Sequence, residues 1–194
     1  MLTLDELSAH IEIRQVLAAY ARGVDRLDVD LLKSCYHDDA TDQHTMFNGN
    51  GHAFADFIVD LCTKMDGTSQ HHITNVHIGL HGNEANVESY YIAFHQFRDE
   101  QGVDRLLTAG GRYLDRFECR DGAWKIAKRI CTMDCSSEPF PNEPSAFSRE
   151  FPKVGPKGVD PMYNLFAEAW RPLLSETAIG PHRSGRNAQE QGIG

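Results

Sequence analysis

The sequence predicts an α+β domain in which a curved antiparallel sheet wraps three N-terminal helices and forms a cone with an open mouth. Apolar residues recur at helical spacing as far as Met65, and from about residue 70 the period changes to two. The turn signals HGNE, DEQG and CRDG then divide the alternating runs, each short enough for a hairpin. Helices first and a meander afterwards is the segregated order of an α+β chain.

The first helix is expected over residues 4–22. Thr3 or Asp5 can cap it, and Leu7, Ile11, Ile13, Val16, Leu17 and Tyr20 form its apolar stripe. Gly23 interrupts the pattern, and Asp25 follows in a short turn. A second helix over 28–36 carries Leu31, Leu32 and Cys35. HDDAT leads into a short strand near 40–47, and NGNG is a turn signal. Residues 53–65 read as the third helix, with Phe54, Phe57, Ile58 and Leu61 to one side. Strands are expected over 70–81, 85–98, 104–118 and 123–134, which makes residues 1–135 the cone domain.

From Ser136 the chain turns rich in Pro and Gly, dotted with Phe140, Phe147 and Phe151. Residues 136–175 are expected to pack on the domain or on a neighbour. A short helix over 161–174 carries Tyr163, Phe166, Trp170 and Leu173. Residues 176–194 read as a disordered tail.

A chain of 194 residues suffices for one domain with a sizeable core. Its formal net charge of -9, without a basic run, makes a poor partner for nucleic acid or an anionic membrane. No segment approaches the roughly 18 apolar residues that span a bilayer. The N-terminus carries acids early and lacks a secretory pattern, so a cytoplasmic protein is expected. The five cysteines are odd in number and scattered, which suits reduced, packed thiols. Neither Ser nor Cys has a neighbouring pattern that indicates covalent catalysis. No P-loop, G-x-S-x-G or G-x-G-x-x-G is present, and no cofactor is expected.

The chemistry points to histidine. His71, His72, His77 and His81 fall on one expected strand and His95 on the next. A neutral imidazole accepts a proton near physiological pH, and it needs a partner such as Asp25 on its other nitrogen. The plainer alternatives are a surface His and a turn-forming Asp. His71, His77 and His81 share parity, which would put them on one face. They are spread along the strand without an HExxH, so no metal is expected. Val76, Ile78 and Leu80 have the parity of His72 rather than His71. A β-bulge near Thr74 and Asn75 reconciles them. His71 is therefore the first choice and His72 the fallback. Arg112 and Arg129 either polarise a substrate oxygen or pair with Asp115 or Glu118. Pairing is favoured for Arg112, and Arg129 stays open.

The runs HIEIRQVLAAYARGVDRLDVDLLKSCYHDDAT, HHITN and GGRYLDRFECRDGAWKIAKR resemble SnoaL-like proteins of the nuclear transport factor 2-like superfamily over about residues 5–135. Within it the chain is similar to scytalone dehydratase, bile acid 7α-dehydratase and hexachlorocyclohexane dehydrochlorinase. The resemblance implies an Asp–His pair that removes a proton during elimination, matched by Asp25 in GVDRLD and His71 in HHITN. It places His95 one residue from a second pocket His, and His44 near a further pocket position. Val24 stands where scytalone dehydratase has Tyr, which argues against scytalone as substrate. The substrate-binding candidates are thus His44, His95, Arg129, Tyr91 and His72.

The expected function is a cofactor-independent lyase, a dehydratase-like elimination on a small ring-bearing hydrophobic substrate. Asp25 acting alone would instead make an isomerase of the ketosteroid type, and a non-catalytic binding or assembly module is the other alternative. The expected ligand is small and hydrophobic, aromatic or steroid-like. A homodimer or homotrimer is expected, because the outer face of the sheet needs a cover. An Asp25–His71 separation beyond hydrogen-bond reach would count against the pair.

Overall fold

The computed structural model describes residues 1–141 and 155–159. The order is α1 (Leu4–Asp25), α2 (Val29–Ser34), β1 (Tyr36–His44), β2 (Phe47–Asn50), α3 (Gly51–Lys64), β3 (Thr68–His81), β4 (Glu84–Arg98), β5 (Asp104–Arg120), β6 (Ala123–Ser136) and β7 (Phe140–Pro141). The strands form a sheet in the order β2-β1-β6-β5-β4-β3, with β7 on β5, curled around the helices without closing. The expected α+β cone is present, with one refinement. The sheet is mixed, because β1 runs parallel to β6 while the other pairs are antiparallel.

A capping box starts α1. The Thr3 hydroxyl accepts from the Glu6 N–H, and the Glu6 carboxylate accepts from the Thr3 N–H. The helix passes through Gly23 and ends at Asp25, three residues beyond the expected end. Gly23 serves close packing rather than termination: a Cβ there would lie 3.0 Å from Cβ of Leu32 on α2. Ile13, Leu17, Tyr20 and Val24 point from α1 into the core, where they meet Leu32, Tyr36, Phe54, Phe117 and Ile126. Burial of side chains this size stabilises by about 1.5–3 kcal/mol each, which makes this stripe the main attachment of helix to sheet.

Tyr36 opens β1 rather than closing α2, and the NGNG segment spans the end of β2 and the start of α3. Asn50 is the N-cap of α3 and accepts from the N–H groups of His52 and Ala53. The β3–β4 register shifts between Thr74 and Val76, and Asn75 sits at the shift with φ 28°. This is the expected bulge. His71 and Ile73 face inward before it, and Val76, Ile78 and Leu80 after it.

Two pieces of the C-terminal extension lie on the domain. Phe140 and Pro141 pair with Leu106 and Arg105 of β5. The Lys157 N–H donates to the Arg26 carbonyl at 2.6 Å, and its ammonium donates to Asp28 at 2.8 Å and Asp30 at 3.2 Å. Phe147, Phe151, the expected helix over 161–174 and the tail 176–194 lie outside the described residues. No helix among the described residues is long and apolar enough to cross a membrane.

Candidate active site

The end of α1 meets the start of β3. Asp25 Oδ1 accepts from His71 Nδ1 at 2.6 Å and from the Ser69 hydroxyl at 3.0 Å. Its Oδ2 accepts from the His71 backbone N–H at 2.8 Å. Both side chains are only 9% exposed. Burial pushes the Asp25 carboxyl up, but the bonds and charge of His71, together with Ser69, hold it below its ordinary value. An ionised Asp25 accepts from a proton on Nδ1 of His71, which in the neutral imidazole leaves the lone pair on Nε2. No described residue hydrogen-bonds to that nitrogen.

His95 stands beside this pair on β4, its ring 5.3 Å from the His71 ring and edge-on to it. Burial lowers its pKa to about 4, and repulsion from His71 adds to the shift. His95 is therefore neutral at pH 7 and able to donate or accept a hydrogen bond. Asp25, Ser69 and His95 border a cavity of about 130 Å³. Leu27, Cys62 and Met65 complete its apolar side, and Gly155 and Pro156 of the C-terminal extension border it as well.

A second polar cluster lies on the inner face of β1, β5 and β6. His44 Nδ1 is bonded to Asp42 Oδ1, and the Tyr36 hydroxyl donates to Asp42 Oδ2 at 2.6 Å. Burial of the His44 ring opposes its protonation, but the bonds to Asp42 and Cys131 outweigh it and raise the pKa to about 9. Arg129 is fully buried, donates to both oxygens of Asp115 at 2.8 and 2.7 Å, and is held between the rings of Tyr20 and Tyr113. Tyr91 stacks on Tyr113 at 4.7 Å, and its hydroxyl donates to the Thr132 carbonyl.

The structure thus brings Asp25, His71 and His95 together, with Ser69 as an unforeseen member. His44, Arg129 and Tyr91 belong to the second cluster and do not border the cavity at Asp25. Three expectations need correction. His72 lies on the outer face, exposed, against the Phe94 ring, because the bulge leaves His71 on the core side. His77 and His81 do not share a face with His71, since Asn75 reverses the parity between them. Arg112 pairs with Glu88 and Asp134 rather than Asp115 or Glu118, and Arg129, left open above, donates to Asp115 through Nε and Nη2 while its buried Nη1 has no hydrogen-bond partner among the described residues. Asp42 and Cys131 escaped the sequence reading. Asp42-x-His44 puts two groups on one face of a strand, but the neighbour of that strand is set by tertiary pairing.

The sequence profile of the SnoaL-like domain matches residues 5–130. No curated protein sequence matches the chain. Among solved structures, a type 2 hexachlorocyclohexane dehydrochlorinase superposes with a TM-score of 0.65 at 22% identity, covering 74% of this chain and 96% of that one. A type 3 hexachlorocyclohexane dehydrochlorinase from Novosphingobium barchaimii gives 0.60 at 21%, covering 71% and 93%. A scytalone dehydratase-like protein from Novosphingobium aromaticivorans gives 0.60 at 20%, covering 78% and 95%. At these identities the similarity carries the nuclear transport factor 2-like fold and no reaction. With the profile spanning most of the cone and the fold in agreement, the chain belongs to the SnoaL-like domain family.

Proposed function

We propose that the chain is a cofactor-independent lyase in which His71 removes a proton from carbon next to a carbonyl and a leaving group departs from the neighbouring carbon. The observation that carries this reading is the 2.6 Å Asp25–His71 bond, with Nε2 of His71 unclaimed among the described residues. Asp25 fixes the tautomer and stabilises the imidazolium that forms. Neutral His95 binds the oxygen that gains charge and adds no repulsion to a protonated His71.

Asp25 acting alone as an isomerase base is less well supported. Its carboxylate already accepts three hydrogen bonds and is held below its ordinary value, which makes it a weak base. The cavity beside the pair, which Asp25, Ser69 and His95 border and His71 does not, narrows the ligand. A space of about 130 Å³ approaches the roughly 150 Å³ that holds one benzene ring. A single-ring ketone or halide suits it better than a fused steroid.

The test is a thermal-shift screen of single-ring ketones, alcohols and halides, followed by NMR of the stabilising compounds in D2O. Proton exchange or alkene formation is the expected result, and His71→Gln should slow it by about 10²–10⁴-fold. Binding without exchange would favour a ligand-carrying module. Full activity in His71→Gln would remove His71 from the reaction.

A further inference from the structure

The segment 155–159 of the C-terminal extension is a turn with a charged corner. The Val159 N–H donates to the Pro156 carbonyl at 3.0 Å, and Gly158 has φ 83°. A bond from the fourth residue to the first, with φ near +80° at the third, is the pattern of a type II turn, and it sets Lys157 at the second position. The Lys157 backbone N–H donates to the carbonyl of Arg26, the residue after Asp25. The Lys157 ammonium donates to Asp28 Oδ1 at 2.8 Å and to Asp30 at 3.2 Å. Asp28 is buried, and the same oxygen accepts from the Leu31 N–H at the start of α2. Lys157 is half exposed and reaches this carboxylate from outside. Gly155 and Pro156, which lead into the turn, border the cavity of about 130 Å³ together with Asp25, Cys62 and His95. The rest of that border comes from α1, α3, β3, β4 and the turns after the two helices. The extension thus supplies one wall of the cavity, and Lys157 ties that wall to polar groups at the surface.

We propose that Lys157 is a positioning residue that latches Gly155 and Pro156 against the cavity and so sets the size of the ligand that enters. Closed, the wall completes a space for a single ring beside Asp25 and His95. Released, it leaves that side open to bulkier molecules. Ion pairs in contact with solvent contribute little each, so this wall opens at far lower cost than the sheet or the helices. The hydrogen bonds to Asp28 and Asp30 hold the Lys157 pKa above its ordinary value, which keeps the latch charged at neutral pH. Gly158 is the second requirement, because a side chain at its φ strains the turn that presents Lys157. The proposal rests on the elimination reading for what the cavity is for, but access to the cavity is measurable without turnover. The Cys62 thiol stands on the same border and reports it.

The test labels the full chain with N-methylmaleimide or the bulky N-pyrenylmaleimide and maps the adducts by mass spectrometry over time. The readout is the ratio of bulky to small reagent rates at Cys62, divided by the same ratio at the exposed Cys135. Taking a ratio at one thiol cancels its own pKa, which burial and Asp25 raise. Wild-type Cys62 should favour the small reagent. Lys157→Ala and Gly158→Val should each raise the ratio by about threefold or more, the effect of losing an exposed ion pair, with melting curves to verify folding. Lys157→Arg keeps the charge and should keep the wild-type preference. A wild-type Cys62 that takes both reagents equally, an unchanged ratio in either Lys157→Ala or Gly158→Val, or a Lys157→Arg that behaves like Lys157→Ala overturns the proposal. A Cys62 that labels only once Lys157 is replaced by Ala supports it, and one that labels in neither protein overturns it. A chain that is gated in this way yet inert would remove the elimination and leave the latch standing.

Discussion

Arg129 and Asp115 have no exposure at all, so each charge depends on the other. Removing one partner leaves an uncompensated charge in the core, which costs about 3–5 kcal/mol. Asp115→Asn and Arg129→Met are each expected to lower the melting temperature by roughly 10 °C in circular dichroism melts. The double variant Asp115→Leu/Arg129→Met should recover part of that loss, because it removes both charges together. The two shifted imidazoles act on stability in opposite directions. His95 has a folded pKa of about 4, below its unfolded value of about 6.5. The unfolded chain binds the extra proton, so this group costs stability as pH falls from 6.5 to 4. His44 has a folded pKa of about 9, so its contribution is complete below pH 6.5 and lost as pH rises to 9. Wild-type melting temperature should therefore fall more steeply than that of His95→Gln on the acid side. The gap between wild type and His44→Gln should close on the alkaline side.

The bulge in β3 is the element on which the candidate site depends. Asn75 occupies the left-handed region with φ 28° and lets two inward-facing sets of opposite parity share one strand. The conflict was readable in the sequence, because Val76, Ile78 and Leu80 disagree with His71 by one residue. Asn75→Gly should be tolerated, since Gly adopts this conformation without a Cβ. Deletion of Asn75 should instead force either His71 or the Val76–Ile78–Leu80 face outward. Loss of the cooperative melt, or loss of ligand stabilisation, is the expected outcome. An active, normally melting deletion variant would show that the bulge does not set the site. The parallel contact of β1 with β6 was not legible in this way. A strand's own pattern records which face is buried but not which strand lies beside it.

The whole molecule leaves Tyr90, Ile92 and Phe94 exposed at alternate positions on the outer face of β4. A row of large apolar groups on a sheet face is what a second copy of the chain would cover, so a homodimer or homotrimer remains the expectation. Light scattering should give two or three copies, and Ile92→Lys should shift the mass towards one. A wild-type monomer at micromolar concentration would remove the expectation. The described part of the extension also reaches the site. Lys157 anchors it to Arg26, Asp28 and Asp30, and this brings Gly155 and Pro156 to the cavity.

By itself the sequence determined the α+β class and the order of the three helices and the four long strands that follow them. Periodicity and turn signals act over a few residues, and Asp25 and His71 stand where the resemblance to SnoaL-like proteins implies a pair. Only the tertiary structure decided that Ser69 and His95 join them and that Arg129 pairs with Asp115. Those contacts link residues separated by 14 to 44 positions and depend on strand partners, register and the curl of the sheet. Such long-range pairings are fixed by the packing of the whole core and leave no local periodic trace.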